Sequence, residues 1–337
     1  MLQSNHASGT CSASASVPLP ATSKETSIRT VRFHEYGEPA DVLRLEETAV
    51  PDPAPGRIRV TVHACGLAPA DWALCRGLFP GSLPRGIGCD VSGTVDAVGD
   101  GVTDVAVGDR VFGTADWASC PSAGAADHAI MDHWFAVPDG LGLTEAAALP
   151  MALDTAYLHL TALGLTPGTT ILINGAGGTI GYAAVQIALT RGLRVIATAG
   201  DTYAQALRDL GAAVTGYGNG LVQRVREITP EPVDLVLDTA PVGGALPALI
   251  ELAGGDPQRV LTISDVQAAQ ELGARDTFHE PPSLIGHRFE AFGEFAKLAA
   301  DGKFSVPIAR TFLLEEWRTA LEISLSGHAR GKLLLRP

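Results

Sequence analysis

From Thr169 to Ser264 the chain alternates without a break between short apolar runs rich in β-branched residues and longer stretches of helical composition. The order is TTILIN, TIGYAAVQIALTRG, RVIATA, TYAQALRDLGA, AVTGY, LVQRVREIT, VDLVLDT, GGALPALIELA and RVLTIS. Strands separated by helices form βαβ units, and their right-handed crossovers wind helices onto both faces of one parallel sheet. The fold class is therefore α/β with a doubly wound sheet, and a ligand of such a sheet sits beyond the carboxyl ends of its strands.

The first of these strands ends ILIN and breaks into GAGGTIG, Gly175 to Gly181, before the helix begins. A glycine turn at a helix start presents unpaired N–H groups and the positive end of the helix dipole to an anion. Gly178 and Gly181 keep the spacing of the last two glycines of the dinucleotide fingerprint, with Ala176 in place of its first. The expectation is a pyrophosphate seat at this turn, with Gly178 and Gly181 in it. The second strand closes VIATAG, so no strand-end carboxylate repels a 2′-phosphate, and Ala199 and Gly200 leave room for one. Asp201 follows one step later and no Arg or Lys appears before Arg208; NADPH is expected, ahead of NADH.

The 337 residues exceed what one hydrophobic core organises. Residues 1–27, rich in Ser, Ala, Thr and Pro, read as a disordered leader. From Ile28 short strand-like runs such as RIRVTVHACG, GCDVSGTVDAVG and GDRVFGTA, punctuated by Gly, Pro and Asp, predict a twisted, barrel-like β domain over 28–149. LTEAAALPMALDTAYLHLTAL then reads as one long helix with Thr144 at its N-cap. The doubly wound domain is placed at 150–282, with the chain returning to the first domain over 283–337. A net charge of −13 repels phosphate backbones and anionic lipid, and no run of 18 apolar residues exists. A cytoplasmic protein without nucleic-acid or membrane partners is expected, with its five cysteines as free thiols.

The segments VRFHEYGEPADVLRLEETAVPDPAPGRIRVTVHACGLAPADW, GCDVSGTVDAVGDGV, VGDRVFG, LPMALDTAYLHL, GAGGTIGYAAVQIA and GHARGKLLL resemble, in order, the zinc-independent quinone oxidoreductase branch of the medium-chain dehydrogenase/reductase superfamily. The resemblance implies a GroES-like catalytic domain, a Rossmann cofactor domain, NAD(P)H in the cleft between them, and a homodimer formed by pairing sheet edges. It implies further cofactor contacts at Thr155, Thr179, Ile180, Gly200, Tyr217, Thr239, Ile263, Ser264 and Lys332. Gln267 to His287, ending QELGARDTFHEPPSLIGH, is a candidate for substrate selection or a surface loop.

In zinc-dependent members of the superfamily a cysteine ligand lies in GxC and a histidine ligand in GHE. Here GLA puts Ala68 at the first, and Cys89 with Asp90 replaces His-Glu, so the three ligands that catalytic zinc requires are not in place and no metal is expected. Without a metal to stabilise an alkoxide, hydride addition to a conjugated carbonyl (an enone or enoyl group) or a quinone is the expected reaction, because the carbonyl is its own electron sink. The branch's GxNxxD asparagine and nearby tyrosine are replaced by Ala68 and Ala73. Asp71 and Tyr157 remain as catalytic candidates, Asp71 with an alternative role as a helix cap and Tyr157 as a proton donor or an ordinary buried tyrosine. Those losses leave two other readings open: a redox-neutral lyase or cyclase, and a non-catalytic NADPH-binding protein.

Overall fold

The computed structural model describes residues 26–164, 166–281 and 290–337. Most of the expected leader and the PSLIGH end of the proline-broken segment lie outside the described residues. The first region runs β1 (Ser27–Phe33), α1 (Pro39–Val42), β2 (Arg44–Ala49), β3 (Ile58–Leu67), α2 (Pro69–Cys75), β4 (Arg85–Gly86), β5 (Asp90–Val98), β6 (Arg110–Ala115), β7 (His128–Ala136) and α3 (Leu143–Ala146). The second runs α4 (Pro150–Leu163), β8 (Thr170–Asn174), α5 (Thr179–Thr190), β9 (Arg194–Thr198), α6 (Asp201–Asp209), β10 (Ala213–Thr215), α7 (Leu221–Ile228), β11 (Leu235–Asp238), α8 (Leu246–Leu252), β12 (Val260–Thr262), α9 (Val266–Leu272) and β13 (Arg275–Asp276). After the gap come α10 (Glu290–Ala300), β14 (Ile308–Leu313), α11 (Trp317–Leu325) and β15 (Lys332–Arg336).

In the first region β3, β5, β6 and β7 are antiparallel neighbours, and β7 returns to pair with β3, Ile58 opposite Met131 and Thr61 opposite His128. This closure leaves no free edge among the four strands. The other flank of β3 takes β15, antiparallel, and β15 takes β14, parallel, so strands from beyond the nucleotide sheet complete the first-domain sheet. Alternation within these strands fills one core with Val60, Val91, Val111 and Met131, capped by Trp317 and Leu321 of α11.

The second region is a six-stranded sheet in the order β10-β9-β8-β11-β12-β13, with parallel pairing throughout. Its winding reverses between β8 and β11. Residues that alternate along a strand bury opposite faces: Ile171, Ile173, Val195 and Leu237 pack under α4, α5 and α10, while Leu172, Ile196 and Val236 pack under α7 and α8. Burial on both faces is why ILI and LVL read as unbroken apolar runs.

The alanine-rich stretch is two helices rather than one. Pro150 has no N–H for an α3 carbonyl and instead opens α4 at its first position. Gly142, not Thr144, stands at the α3 N-cap; the Thr144 hydroxyl lies 3.2 Å from His63 Nε2. Helix α10 packs on the nucleotide-sheet core, where Phe295 meets Phe304 at 5.0 Å between ring centroids and Phe292 stacks on Phe135 of β7 at 4.4 Å. Truncating fully buried Phe295 opens a cavity at this seam, so Phe295→Ala is expected to cost about 3–5 kcal/mol in urea unfolding.

Candidate active site

The glycine turn falls at the carboxyl end of β8, where the sheet reverses. Gly178 is the N-cap of α5, without a side-chain cap, so the N–H groups of Thr179 and Ile180 open the helix outward. A Cβ on Gly181 would lie 2.5 Å from the Gly175 carbonyl oxygen and 2.6 Å from Thr239 Oγ1; the helix therefore approaches the strand closely only because this residue is glycine. Over Gly177, by contrast, nothing comes nearer than 4.0 Å, and Gly178 is exposed. The result is a bare, N–H-lined cradle open on its outer side, which fits a pyrophosphate.

Beneath it lies a buried polar network that no motif announces. Asn174 Nδ2 donates to Asp238 Oδ1 at 2.8 Å, Thr198 Oγ1 donates to Asn174 Oδ1 at 2.6 Å, and Thr262 Oγ1 donates to Asp238 Oδ2 at 2.9 Å. Thr239 Oγ1 donates to the Asn174 carbonyl at 2.8 Å. Four adjacent strands thus end in side chains that satisfy one another, which fixes the strand ends carrying the cradle. Burial raises the Asp238 carboxyl above its usual range, opposed by the hydrogen bonds from Asn174 and Thr262. The sequence signal is a polar residue closing each apolar run, as in ILIN and VLD.

At the carboxyl end of the neighbouring strand β9, Gly200 caps α6, and the Tyr217 ring stands 3.6 Å from where a Gly200 Cβ would be. Tyr217 is exposed, but its loop is held: the Arg224 guanidinium donates to the carbonyls of Gly216, Tyr217, Gly218 and Asn219. Asp201 lies in the first turn of α6 and is exposed. Ile263 and Ser264 follow β12, with the Ser264 hydroxyl donating to the Ala240 carbonyl.

Facing this edge is the junction of the two domains. Lys332 Nζ lies 2.5 Å from Asp90 Oδ2, with both side chains 3% exposed or less. Met151, in the first turn of α4, donates its N–H to Asp90 Oδ1 at 2.9 Å. Burial pushes the Asp90 carboxyl up to about 6, Lys332 pulls it down, and nearby Asp71 raises it again. Gly66 makes room for the pair, since a Cβ there would lie 2.6 Å from Lys332 Cε and 3.0 Å from Asp90 Cβ.

Asp71 is fully buried, and both its oxygens are engaged: Oδ2 accepts from Ala68 N–H at 2.8 Å, and Oδ1 from Gly88 N–H at 2.7 Å and Cys89 N–H at 3.3 Å. It caps α2 and ties that helix to the turn before β5. Cys89 Sγ also lies 3.6 Å from Asp71 Oδ1, and burial raises the thiol well above its usual range, so it stays protonated.

Thr155 and Tyr157 cannot share a role. Two residues apart on α4, they face nearly opposite ways. Thr155 lies on the Met151 face, its hydroxyl resting on the Met151 thioether at 3.6 Å. Tyr157 instead packs on Phe295 and under the guanidinium of Arg191, the C-cap of α5 and so the end of that helix away from the cradle. The proposed proton donor is thus turned from the cleft by helical period. One turn beyond Thr155, His159 Nδ1 donates to the Thr155 carbonyl at 2.6 Å, so Nε2 accepts from Thr277 Oγ1 at 2.7 Å. Burial lowers this histidine's pKa, in keeping with the neutral ring.

Among the described residues no three His, Cys, Asp or Glu side chains come together as metal ligands. At the two positions compared with zinc-dependent relatives stand a methyl group and a protonated thiol, which do not fit the metal.

Residues 54–157 match the family model described as alcohol dehydrogenase GroES-like domain, and residues 210–335 the one described as zinc-binding dehydrogenase. A quinone oxidoreductase of Pongo abelii is 30% identical over 328 residues, covering 91% of this chain and 97% of its own. The quinone oxidoreductase of Homo sapiens is 29% identical with the same coverage. Among solved structures, the quinone oxidoreductase from Coxiella burnetii superposes with a TM-score of 0.78 at 28% identity, over 92% of this chain and 99% of that one.

The Asp90 carboxyl is raised from about 4 in the unfolded chain to about 6. Its contribution to stability is present below pH ~4 and lost as pH rises through ~6, and at higher pH Lys332, with the Met151 N–H, offsets the buried charge. Lys332→Met is expected to cost about 3–5 kcal/mol at pH ~8 and clearly less at pH ~5, by urea unfolding at each pH. Equal losses at both would show that the pair is not ionic.

Proposed function

Because the chain belongs to the quinone oxidoreductase branch of the medium-chain dehydrogenase/reductase superfamily, we infer that it reduces a conjugated carbonyl or a quinone with NADPH and without zinc. The observation that carries this reading is the open, N–H-lined cradle of Gly178, Thr179 and Ile180, together with the buried Ala68 and protonated Cys89 that stand where zinc ligands would be.

When bound, the cofactor supplies a hydride to the electron-poor carbon of the acceptor. The chain's share is orientation and the exclusion of water. The cradle and Tyr217 hold the two ends of the dinucleotide's adenosine diphosphate half. The absence of a carboxylate at the end of β9, where Thr198 turns inward to Asn174, supports NADPH over NADH. The negative charge that develops on the acceptor oxygen needs a donor. Thr155 is the proposed one: it is partly exposed on the cleft face of α4, and its hydroxyl gives up only a weak thioether contact. Asp71, with its oxygens occupied by three N–H groups, is assigned a positioning role.

Purified protein is expected to consume NADPH with a panel of enones and quinones at a rate unchanged by chelator, and to carry less than about one zinc per ten chains by elemental analysis. One zinc per chain with chelator-sensitive turnover would overturn zinc independence. Tight NADPH binding with no acceptor reduced would favour the redox-neutral alternative.

A further inference from the structure

Two phenylalanines stand about half exposed at one place, Phe79 at 53% and Phe278 at 50%. They come from opposite walls of the cleft, Phe79 from the loop after α2 and Phe278 from the loop after β13, and their ring centroids are 6.2 Å apart at 56°. Phe79 also stands 6.2 Å from Trp117, just past β6. A cluster of exposed rings is costly in water, so its persistence at one spot calls for an occupant.

Neither phenylalanine is loosely held. Phe79 adopts φ +55°, a left-handed conformation that bulky side chains avoid. Its carbonyl is gripped at 2.7 Å by the guanidinium of Arg85, which is 2% exposed and lies 5.3 Å over the Trp117 ring. Arg85 Nε has no hydrogen-bond partner among the described residues. Phe278 is fixed by its neighbours: its own N–H donates to Asp276 Oδ1 at 2.9 Å, Thr277 is bonded to His159, and Arg275 donates to Glu280 at 2.6 Å and to the Ala162 carbonyl at 2.9 Å. Strain and anchoring spent on displaying rings rather than burying them are features of ligand clamps.

The cluster also borders the reacting region. The Ala115 N–H donates to the Cys89 carbonyl at 2.9 Å, which sets Trp117 two residues from the strand end that carries Asp90. Across the cleft, the Thr277 hydroxyl is bonded one helical turn past Thr155. A flat conjugated ring lays its whole face on Phe and Trp in offset stacking, whereas an open chain makes only edge contacts.

We propose that Phe79, Trp117 and Phe278 form an aromatic clamp across the cleft mouth that selects acceptors carrying a flat ring conjugated with the reacting carbonyl over open-chain enones. The clamp rests on the reductase reading for the identity of its ligand as an acceptor, but its binding preference is measurable without turnover. Calorimetric titration of the full chain with β-naphthol, a non-reducible ring probe, and with octanol separates the two questions. The wild-type chain is expected to bind β-naphthol more tightly, and Phe79→Ala, Phe278→Ala and Phe278→Leu each to weaken β-naphthol about 3- to 10-fold, octanol less. The leucine variant keeps bulk and fold while removing the flat face. Val107→Ala, an exposed site in the turn between β5 and β6, is expected to alter neither.

With turnover, the ratio of kcat/KM for menadione to that for methyl vinyl ketone is expected to fall by a similar factor in the Phe variants, through KM. No ring preference in the wild-type chain, or equal weakening of both probes, would overturn the clamp. Selective ring binding with no NADPH consumed by either acceptor would uphold the clamp and count against the reductase reading.

Discussion

The interaction on which the arrangement hangs is the buried pair of Asp90 and Lys332. It joins the first residue of a barrel strand to the first residue of β15, and through the Met151 N–H it also takes hold of the start of α4, the helix that runs along the cleft. Two charges removed from water give little net stability compared with well-packed apolar residues, yet removing one alone is costly. The pair is therefore better understood as fixing position than as adding strength. It sets the barrel, the returning strand and the cleft helix in one geometry, and Gly66 supplies the space in which they meet.

The nucleotide half shows the same division between bulk burial and local fixing. Alternating apolar residues cover both faces of its sheet, but the strand ends are aligned by Asn174, Asp238, Thr198 and Thr262. Apolar packing is tolerant of small shifts, whereas a closed set of hydrogen bonds is not. The cradle at Gly178 thus stands on the least deformable part of the sheet. The first-domain wall is fixed in a comparable way by Asp71, whose carboxylate gathers the N–H groups of a helix start and of the turn before β5.

How much of this was legible in the sequence follows from the range of each interaction. The βαβ alternation and the glycine turn are local patterns, and the parallel sheet, the helix positions and the cradle follow from them, whereas the order of the strands does not. Pro150 is a helix breaker, yet alanine-rich flanks on both sides favour one continuous helix in the sequence. Tyr157 illustrates a different limit: proximity to Thr155 in sequence says nothing about sharing a face unless the helical period is counted. Arg224, His159 with Thr277, and Arg85 with Phe79 act through partners brought near by folding, and no spacing rule finds them. The resemblance points to Lys332, but its pairing with Asp90 is visible only in the folded geometry.

Strand β3 is flanked by β5 on one side and by β15 on the other, with the whole nucleotide domain between them in sequence. The nucleotide sheet is assembled from consecutive βαβ units and needs little outside itself to form. The first-domain sheet cannot be completed until the later domain has been synthesised and its two flanks brought together, a closure of high contact order. Until then the Cys65–Leu67 end of β3, beyond its pairing with β7, presents an unpaired edge, a template for wrong pairing that the completed sheet conceals. The order of synthesis and the order of completion are therefore opposed, and the segment made first is the one finished last.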